Sequence, residues 1–419
     1  MEKALLVSIQ IKTDKHHWRI EDISSELEEL AASAGVEVID NIICICEKAT
    51  ANYLIGKGKV EEIGFLAAEE NIDTIIFSHD LSGTQQRNLE DALGRKTIDR
   101  TQLILDIFSR RAKSPEGKMQ VELALLEYLL PRLTGKGIML SRLGGGIGTR
   151  GPGETKLEVD RRQIRRRIDK LKTDIEAFRL HRLTTHKKRR GNSLPLVALV
   201  GYTSAGKSTL LNRLTDAGQI TSEKLFTTLD PLSKSLKLPN GQDIIISDTV
   251  GFLHELPHHL IEAFKATLEE VSDADLLIHV LDVSDQRIHQ HSQAVQSVLD
   301  ELGLKDKPVL TALNKMDLVD DRSWLELYKN EFKDSVIFSA KSGENVDALI
   351  ESIQMYFSGL MLSLRIVIPH SRMELVDFFY RQAKIDKIDY LQDGISINLR
   401  ISRELFSKIN KDKDIKVIC

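Results

Sequence analysis

Short apolar runs alternate with longer half-polar stretches through most of the chain. That is the pattern of buried parallel strands joined by amphipathic helices. In the first hundred residues, Ala4–Ile9, Val36–Cys46 and Thr74–Phe77 read as strands, and Glu21–Ala34 and Val60–Glu70 as helices. The rhythm then changes. Glu116–Leu133 is rich in helix formers and ends near Pro131, and Lys156–Arg182 is a second long helical pattern. Within it Leu157, Ile164, Ile168, Leu171, Ile175 and Phe178 recur at spacings of seven, four, three, four and three. This is a coiled-coil seam, and it predicts an antiparallel hairpin with the first helix. Strand-like runs return at Leu194–Val200, Ile244–Ile246, Val309–Leu313 and Val336–Phe338. A last unit is marked by Leu364–Pro369, Met373–Gln382 and Ile395–Ile401.

The run before Gly201 ends in Gly201-Tyr202-Thr203-Ser204-Ala205-Gly206-Lys207-Ser208-Thr209, a G-x-x-x-x-G-K-S loop between a strand and a helix start. In that context the backbone N–H groups curl inward around phosphate oxygens. Lys207 reaches the β and γ phosphates, and the Ser208 hydroxyl suits Mg²⁺. Asn314-Lys315-Met316-Asp317 follows a buried strand and names the base. Asp317 can accept from N1–H and the 2-amino group of guanine, which adenine lacks. Asn314 and Lys315 would brace the loop and cover the base, and Ser339-Ala340-Lys341 would offer backbone N–H groups to the guanine oxygen. Asp248-Thr249-Val250-Gly251 closes another strand. Asp248 is placed to hold Mg²⁺ through water, and the Gly251 N–H to meet the γ-phosphate. In Phe226-Thr227-Thr228, a threonine can close over Mg²⁺ and release after hydrolysis. These elements predict a GTP-binding switch. Position 252 carries Phe252 where related switches place a water-orienting glutamine. Slow hydrolysis until a partner completes the site is therefore expected.

With 42% hydrophobic and 29% charged residues over 419 positions, the chain reads as a soluble globular protein of roughly three domains. No apolar run approaches the length of a membrane span, no signal peptide is evident, and three cysteines point to the cytoplasm. Cys44 and Cys46 read as buried strand residues, not as a metal pair. The net charge of −4 hides an asymmetry, because residues 109–190 carry 22 Lys/Arg against 9 Asp/Glu. A basic segment in a mildly acidic chain is a footprint for a polyanion. Arg150, Arg161, Arg162, Arg165, Arg166 and Arg167 are the candidate RNA contacts, weighed against an ordinary solvated face. Six glycines within residues 144–153 form a loop at the hairpin tip rather than a core element. Peripheral attraction to a membrane surface stays open, although no amphipathic apolar face accompanies the charge.

The expected fold class is α/β and multidomain. An N-terminal α/β subdomain (1–108) bears a long antiparallel basic helical hairpin (109–185). A polar linker (186–193) leads to a P-loop GTPase domain (194–360) and a small C-terminal α/β domain (361–419).

GKGKVEEI at 56–63, DRTQLILDIFSRRA at 99–112 and GGGIGTRGPGETKLEVDRR at 144–162, joined to GYTSAGKST, FTTLDP, DTVGF and NKMD, make the chain resemble the HflX family of GTPases along essentially its whole length. Phe252 agrees with that family. The resemblance selects Thr228 over Thr227, giving Ser208, Thr228 and Asp248 as the Mg²⁺ set and Lys207, Thr228 and Gly251 as catalytic residues. It implies GTP as substrate and GDP as product. It also implies a monomer that binds the large ribosomal subunit and splits stalled or idle ribosomes under stress, with the ribosome stimulating hydrolysis. The alternative from another class is an ATP-dependent, helicase-like protein that remodels rRNA.

Overall fold

The computed structural model describes all residues except 1, 14–17, 134–155, 192–193, 216–217, 219–224, 227, 229, 255–259, 261–264, 360, 393, 403–405, 407–408, 410–414 and 419. The first unit runs β1 (Lys3–Ile11), α1 (Ile20–Ala34), β2 (Glu37–Cys46), α2 (Lys57–Glu69), β3 (Thr74–Phe77), α3 (Gly83–Leu93), β4 (Lys96–Asp99) and α4 (Arg100–Arg111). Its four strands are parallel in the order β2-β1-β3-β4. Side chains alternate across a strand, so β1 feeds two cores. Ala4 and Leu6 pack with Leu27, Leu30 and Phe108 on one face, while Leu5, Val7 and Ile9 meet Val60, Ile63 and Leu89 on the other. Cys44 is buried and Cys46 half-buried on β2. The sequence pattern missed α3, β4 and α4. The strand is only four residues long and α4 starts immediately after it, so neither period has room to show.

The hairpin consists of α5 (Pro115–Leu129), continued by a 3-10 turn over Leu130–Leu133, and α6 (Lys156–Gly191). The buried carboxylate of Asp99 roots it, accepting from the Leu81 and Gln102 amides, from Tyr128 Oη at 2.8 Å and from Arg132 Nη2 at 3.1 Å. Ile168 and Leu171 are buried and Ile164 and Ile175 half-buried, but Phe178 is 41% exposed. The predicted seam therefore stops short, because α5 is much shorter than α6 and offers Phe178 nothing to pack on. The Gly-rich tip and Arg150 lie outside the described residues, as does the side chain of Leu157. Residues 186–191, expected as linker, continue α6. Nothing in Lys187–Arg190 breaks a helix, and cations are favoured near a helix C-terminus.

The next unit runs β5 (Leu196–Gly201), α7 (Lys207–Thr215), β6 (Leu232–Lys237), β7 (Asp243–Asp248), α8 (Lys265–Asp273), β8 (Leu276–Asp282), α9 (Ile288–Glu301), β9 (Val309–Asn314), α10 (Ser323–Glu331), β10 (Ser335–Ile337) and α11 (Val346–Gly359). Its sheet has the order β10-β9-β8-β5-β7-β6, parallel except for the edge strand β6. The C-terminal unit has β11 (Met361–Ile368), α12 (Glu374–Gln382), β12 (Lys384–Leu391), β13 (Gly394–Ser402) and β14 (Lys416–Ile418), in the antiparallel order β12-β13-β11-β14. Val376 and Phe379 of α12 cover Ile366, Ile397 and Leu399.

One apolar core joins the first unit to the P-loop unit. Phe108 meets Phe226 edge-on with centroids 4.5 Å apart, and Trp18 stacks on His254 at 4.3 Å. Beneath them Glu26 accepts from Arg100 and from the Tyr202 hydroxyl, and Arg100 also donates to the His254 carbonyl. The segments at Phe226 and at His254 thus both rest on the N-terminal unit.

Candidate nucleotide-binding site

β5 lies between β7 and β8, and its last residue, Gly201, opens the loop that enters α7 at Lys207. At Gly206 the backbone has φ +97°, and a Cβ would sit 2.3 Å from Asn314 Nδ2, so both conformation and space demand glycine. Lys207 is buried, and its Nζ donates to the Gly201 carbonyl at 2.9 Å and the Tyr202 carbonyl at 2.8 Å. Burial pulls its pKa down to about 8, against the opposing pull of Asp248. A phosphate would supply the counter-charge this ammonium lacks. A Cβ on Gly251 would lie 3.1 Å from Lys207 Nζ, which places the Gly251 backbone beside the same ammonium.

Asp248, at the end of β7, is wholly buried. Its Oδ2 accepts from Ser208 Oγ at 2.6 Å and Thr228 Oγ1 at 2.8 Å, and the two hydroxyls are 2.8 Å apart. Its Oδ1 has no partner among the described residues. Burial raises the carboxyl pKa, while Lys207 and the hydroxyl donors lower it. An orphaned buried carboxylate oxygen costs free energy unless something occupies it. Two hydroxyls around a carboxylate form a hard-oxygen set of the kind that suits Mg²⁺. Among the described residues no cluster of three or more His, Cys, Asp or Glu could hold a metal. Here two of the three groups are hydroxyls.

Asn314 carries the other end of the site. Its Nδ2 donates to the Ala205 carbonyl at 2.8 Å, and its Oδ1 accepts from the Ala340 N–H at 2.9 Å. One buried amide thereby ties the phosphate loop to the Ser339–Lys341 turn. Lys315 sits at φ +67° with Nζ 2.6 Å from Asp282 Oδ2. Asp317 is exposed, with its carboxylate available at the cleft edge. The cleft encloses about 530 Å³ and is bounded by Ser204, Thr209, Thr228, Asn314, Asp317 and Lys341. That volume falls in the range of roughly 300–1,000 Å³ typical of small-molecule sites.

Not every expected residue faces it. Tyr202 turns away: its hydroxyl bonds Glu26 and its ring stacks on His291 at 3.9 Å. The side chains of Val250 and Met316 are in the core, and Thr249 is spent on the Leu199 carbonyl. For these four, only the backbone is left to meet a nucleotide. Thr227 lies outside the described residues. Phe252 is buried and packs toward the N-terminal unit. Besides Leu318, which follows Asp317 along the cleft wall, two residues at the site carry no signal in the motifs. Arg213 of α7 donates to the Ala340 and Lys341 carbonyls at 3.2 and 2.8 Å, holding the base-side turn. Glu29, from α1, lines the cleft although it lies far upstream in the chain. Arg213 could have been suspected from its place one turn past the P-loop; nothing in the sequence marks Glu29.

Of the basic residues on α6, Arg165 and Arg166 are exposed, as is Arg162. Arg167 is committed to a bidentate pair with Glu122 at 2.7 Å. Arg161 is half-buried. Arg167 thus helps to hold the two helices of the hairpin together.

Family models cover most of the chain. They are described as GTP-binding GTPase N-terminal (residues 21–109), GTP-binding GTPase Middle Region (111–189), 50S ribosome-binding GTPase (196–315) and HflX C-terminal domain (327–412). A protein named GTPase HflX from Caldanaerobacter subterraneus subsp. tengcongensis is 44% identical over 408 residues, covering 97% of this chain and 93% of that one. GTPase HflX of Escherichia coli K12 is 38% identical over 401 residues, covering 96% and 93%. Among solved structures, a GTP-binding protein from the archaeon Sulfolobus solfataricus in complex with GDP is 26% identical. It aligns over 85% of this chain and 98% of that one with a TM-score of 0.44.

Proposed function

The chain belongs to the HflX family of GTPases, and from that premise we propose that it binds the large ribosomal subunit and splits stalled or idle ribosomes. Binding would be favoured by GTP and ended by hydrolysis. The observation that carries the reading is a basic helical hairpin rooted beside a guanine-nucleotide cleft whose own hydrolytic machinery is incomplete.

GTP would lie with its phosphates over the N-terminus of α7, where Lys207 would exchange the loop carbonyls for β and γ oxygens. Ser208, Thr228 and Asp248 would hold Mg²⁺, which supplies charge neutralisation at the phosphates when bound. The Gly251 N–H would fix the γ-phosphate. The carboxylate of Asp317 would accept from the guanine edge, with Asn314 keeping the two flanking loops in register. No side chain at position 252 can orient water, so slow intrinsic turnover and stimulation by the ribosome follow. The outward-facing Arg162, Arg165 and Arg166 would contact rRNA phosphates.

The ATP-driven RNA-remodelling alternative finds no support, since none of the matched models carries a helicase description. No helix among the described residues is long and apolar enough to cross a membrane.

The test is sedimentation with ribosomes in a non-hydrolysable GTP analogue, in GDP and without nucleotide. Co-migration with large subunits and release of free subunits are expected with the analogue. Identical sedimentation in all three conditions refutes the proposal. A double Arg165→Ala, Arg166→Ala variant should bind GTP normally while its ribosome affinity falls less steeply with salt. The log–log slope should drop by about 1.4–1.8 if both contacts are phosphates.

A further inference from the structure

Asp230 stands two residues beyond Thr228, and the two carboxylate oxygens leave the P-loop unit altogether. Oδ2 accepts from the backbone N–H of Lys113 at 3.0 Å and of Ser114 at 2.8 Å, and Oδ1 accepts from the Ser114 hydroxyl. Ser114 is the N-cap of α5, its Oγ in turn accepting from the Gly117 N–H at 2.9 Å. A carboxylate at a helix N-terminus is electrostatically favourable, and here it comes from a segment 116 residues away in the chain. Gly117 leaves the room: a Cβ there would be 2.3 Å from Asp230 Oδ1.

We infer that Asp230 is a positioning residue that couples the nucleotide to the hairpin, holding the N-terminus of α5 while Thr228 is seated at the phosphates. Two residues of extended chain span at most about 7 Å, so a large withdrawal of Thr228 must pull on Asp230. In this structure both are engaged. The Thr228 hydroxyl lies on Ser208 and Asp248, and Asp230 lies on Lys113 and Ser114. The closed position of Thr228 and the clamped position of α5 therefore belong to one conformation, the one that γ-phosphate would favour. When Thr228 withdraws after hydrolysis, Asp230 is drawn off the helix and the hairpin loses an anchor on the G domain. The coupling also runs backwards: a partner that holds the hairpin would seat Thr228 and speed the reaction. This rests on the reading of the cleft as a GTP site, but not on the identity of the hairpin's partner.

The experiment uses the full chain without ribosomes. Hydrogen exchange at the amides of Lys113, Ser114 and Gly117 is measured with Mg²⁺ and either an imido analogue of GTP or GDP. Affinities for both nucleotides are measured in parallel. In the wild type these amides should exchange more slowly with the analogue. In Asp230→Ala they should exchange fast in both states, and the preference for analogue over GDP should fall by roughly 5- to 30-fold. Gly117→Ala tests the same clamp from the helix side, because its methyl would fall 2.3 Å from the Asp230 carboxylate and 3.0 Å from the Ser114 hydroxyl, while alanine itself favours helix. It should lose the nucleotide dependence just as Asp230→Ala does. A wild type with the same exchange in both states, or variants that keep the wild-type difference, would overturn the inference. Ribosome sedimentation can succeed or fail independently of either result.

Discussion

Replacing Asn314 with alanine removes the one side chain that bridges the phosphate loop and the base-side turn. Asn314 is 2% exposed, and its partners Ala205 and Ala340 are each 3% exposed. Truncation leaves a carbonyl and an N–H buried without partners. Each orphaned group costs about 1–3 kcal/mol, so the pair amounts to about 2–6 kcal/mol. Water admitted into the space left by the amide would bring the net toward the lower figure, about 2–3 kcal/mol. For a unit of this size 1 kcal/mol shifts the midpoint of thermal unfolding by about 2–4 °C, so a fall of about 5–10 °C is expected. The same loops must be in register for nucleotide to bind, so GDP affinity should drop by about 30- to 150-fold. Calorimetry of the nucleotide-free protein and equilibrium titration with a fluorescent GDP read the two effects. Asn314→Asp is the sharper control. It keeps an acceptor for the Ala340 N–H but sets a carboxylate oxygen against the Ala205 carbonyl, and should be worse than alanine. A variant that melts within 2 °C of wild type (a shift worth about 1 kcal/mol or less) and binds GDP within threefold would show that the bridge contributes nothing.

Three further outcomes can be checked. His279, buried on β8 with its pKa lowered to about 4 by burial and then by Lys207, stays neutral in the fold while the unfolded chain takes up a proton below about 6.5. Its contribution is complete above that pH and is lost as pH falls toward 4. Stability should therefore drop by about 2 kcal/mol from pH 7 to pH 5, and His279→Leu should flatten that slope in urea titrations. Glu26→Ala removes the carboxylate that faces the buried Arg100 guanidinium, which also donates to the His254 carbonyl. A cost near the lower end of about 3–5 kcal/mol is expected in chemical denaturation, and an unchanged midpoint would remove the Glu26–Arg100 pair from the account. Asp317→Asn exchanges a double acceptor for one acceptor and one donor, so the site should weaken toward GDP and gain affinity for xanthosine diphosphate. Competition binding would contradict the assignment if guanine were still preferred.

Much of the site was legible because its chemistry is written over short stretches of backbone. A strand that stops at Gly201, a glycine with positive φ at Gly206 and a lysine one residue later form a phosphate cradle through local geometry alone. Asp248 and Asn314 were found because each closes an apolar strand, which fixes where its side chain emerges. The hairpin seam showed through its spacing as far as Ile175. Its failure at Phe178, and the continuation of α6 to Gly191, depended on how far the neighbouring helix reaches, which no periodicity records.

By itself, then, the sequence determined the GTPase family, the phosphate loop at Gly201–Thr209 and the concentration of positive charge between residues 109 and 190. Each is a property of residue type and short-range order. Only the tertiary structure decided that Tyr202 turns from the cleft to Glu26, 176 residues away, that Arg167 is spent on Glu122, and that Asp230 holds the N-terminus of α5. Such contacts join groups whose separation along the chain carries no pattern. Tyr202–Glu26 and Asp230–Ser114 exist because two units pack on one another and each supplies a partner for the other's polar groups, while the exposed Arg167–Glu122 pair joins the two helices of the hairpin.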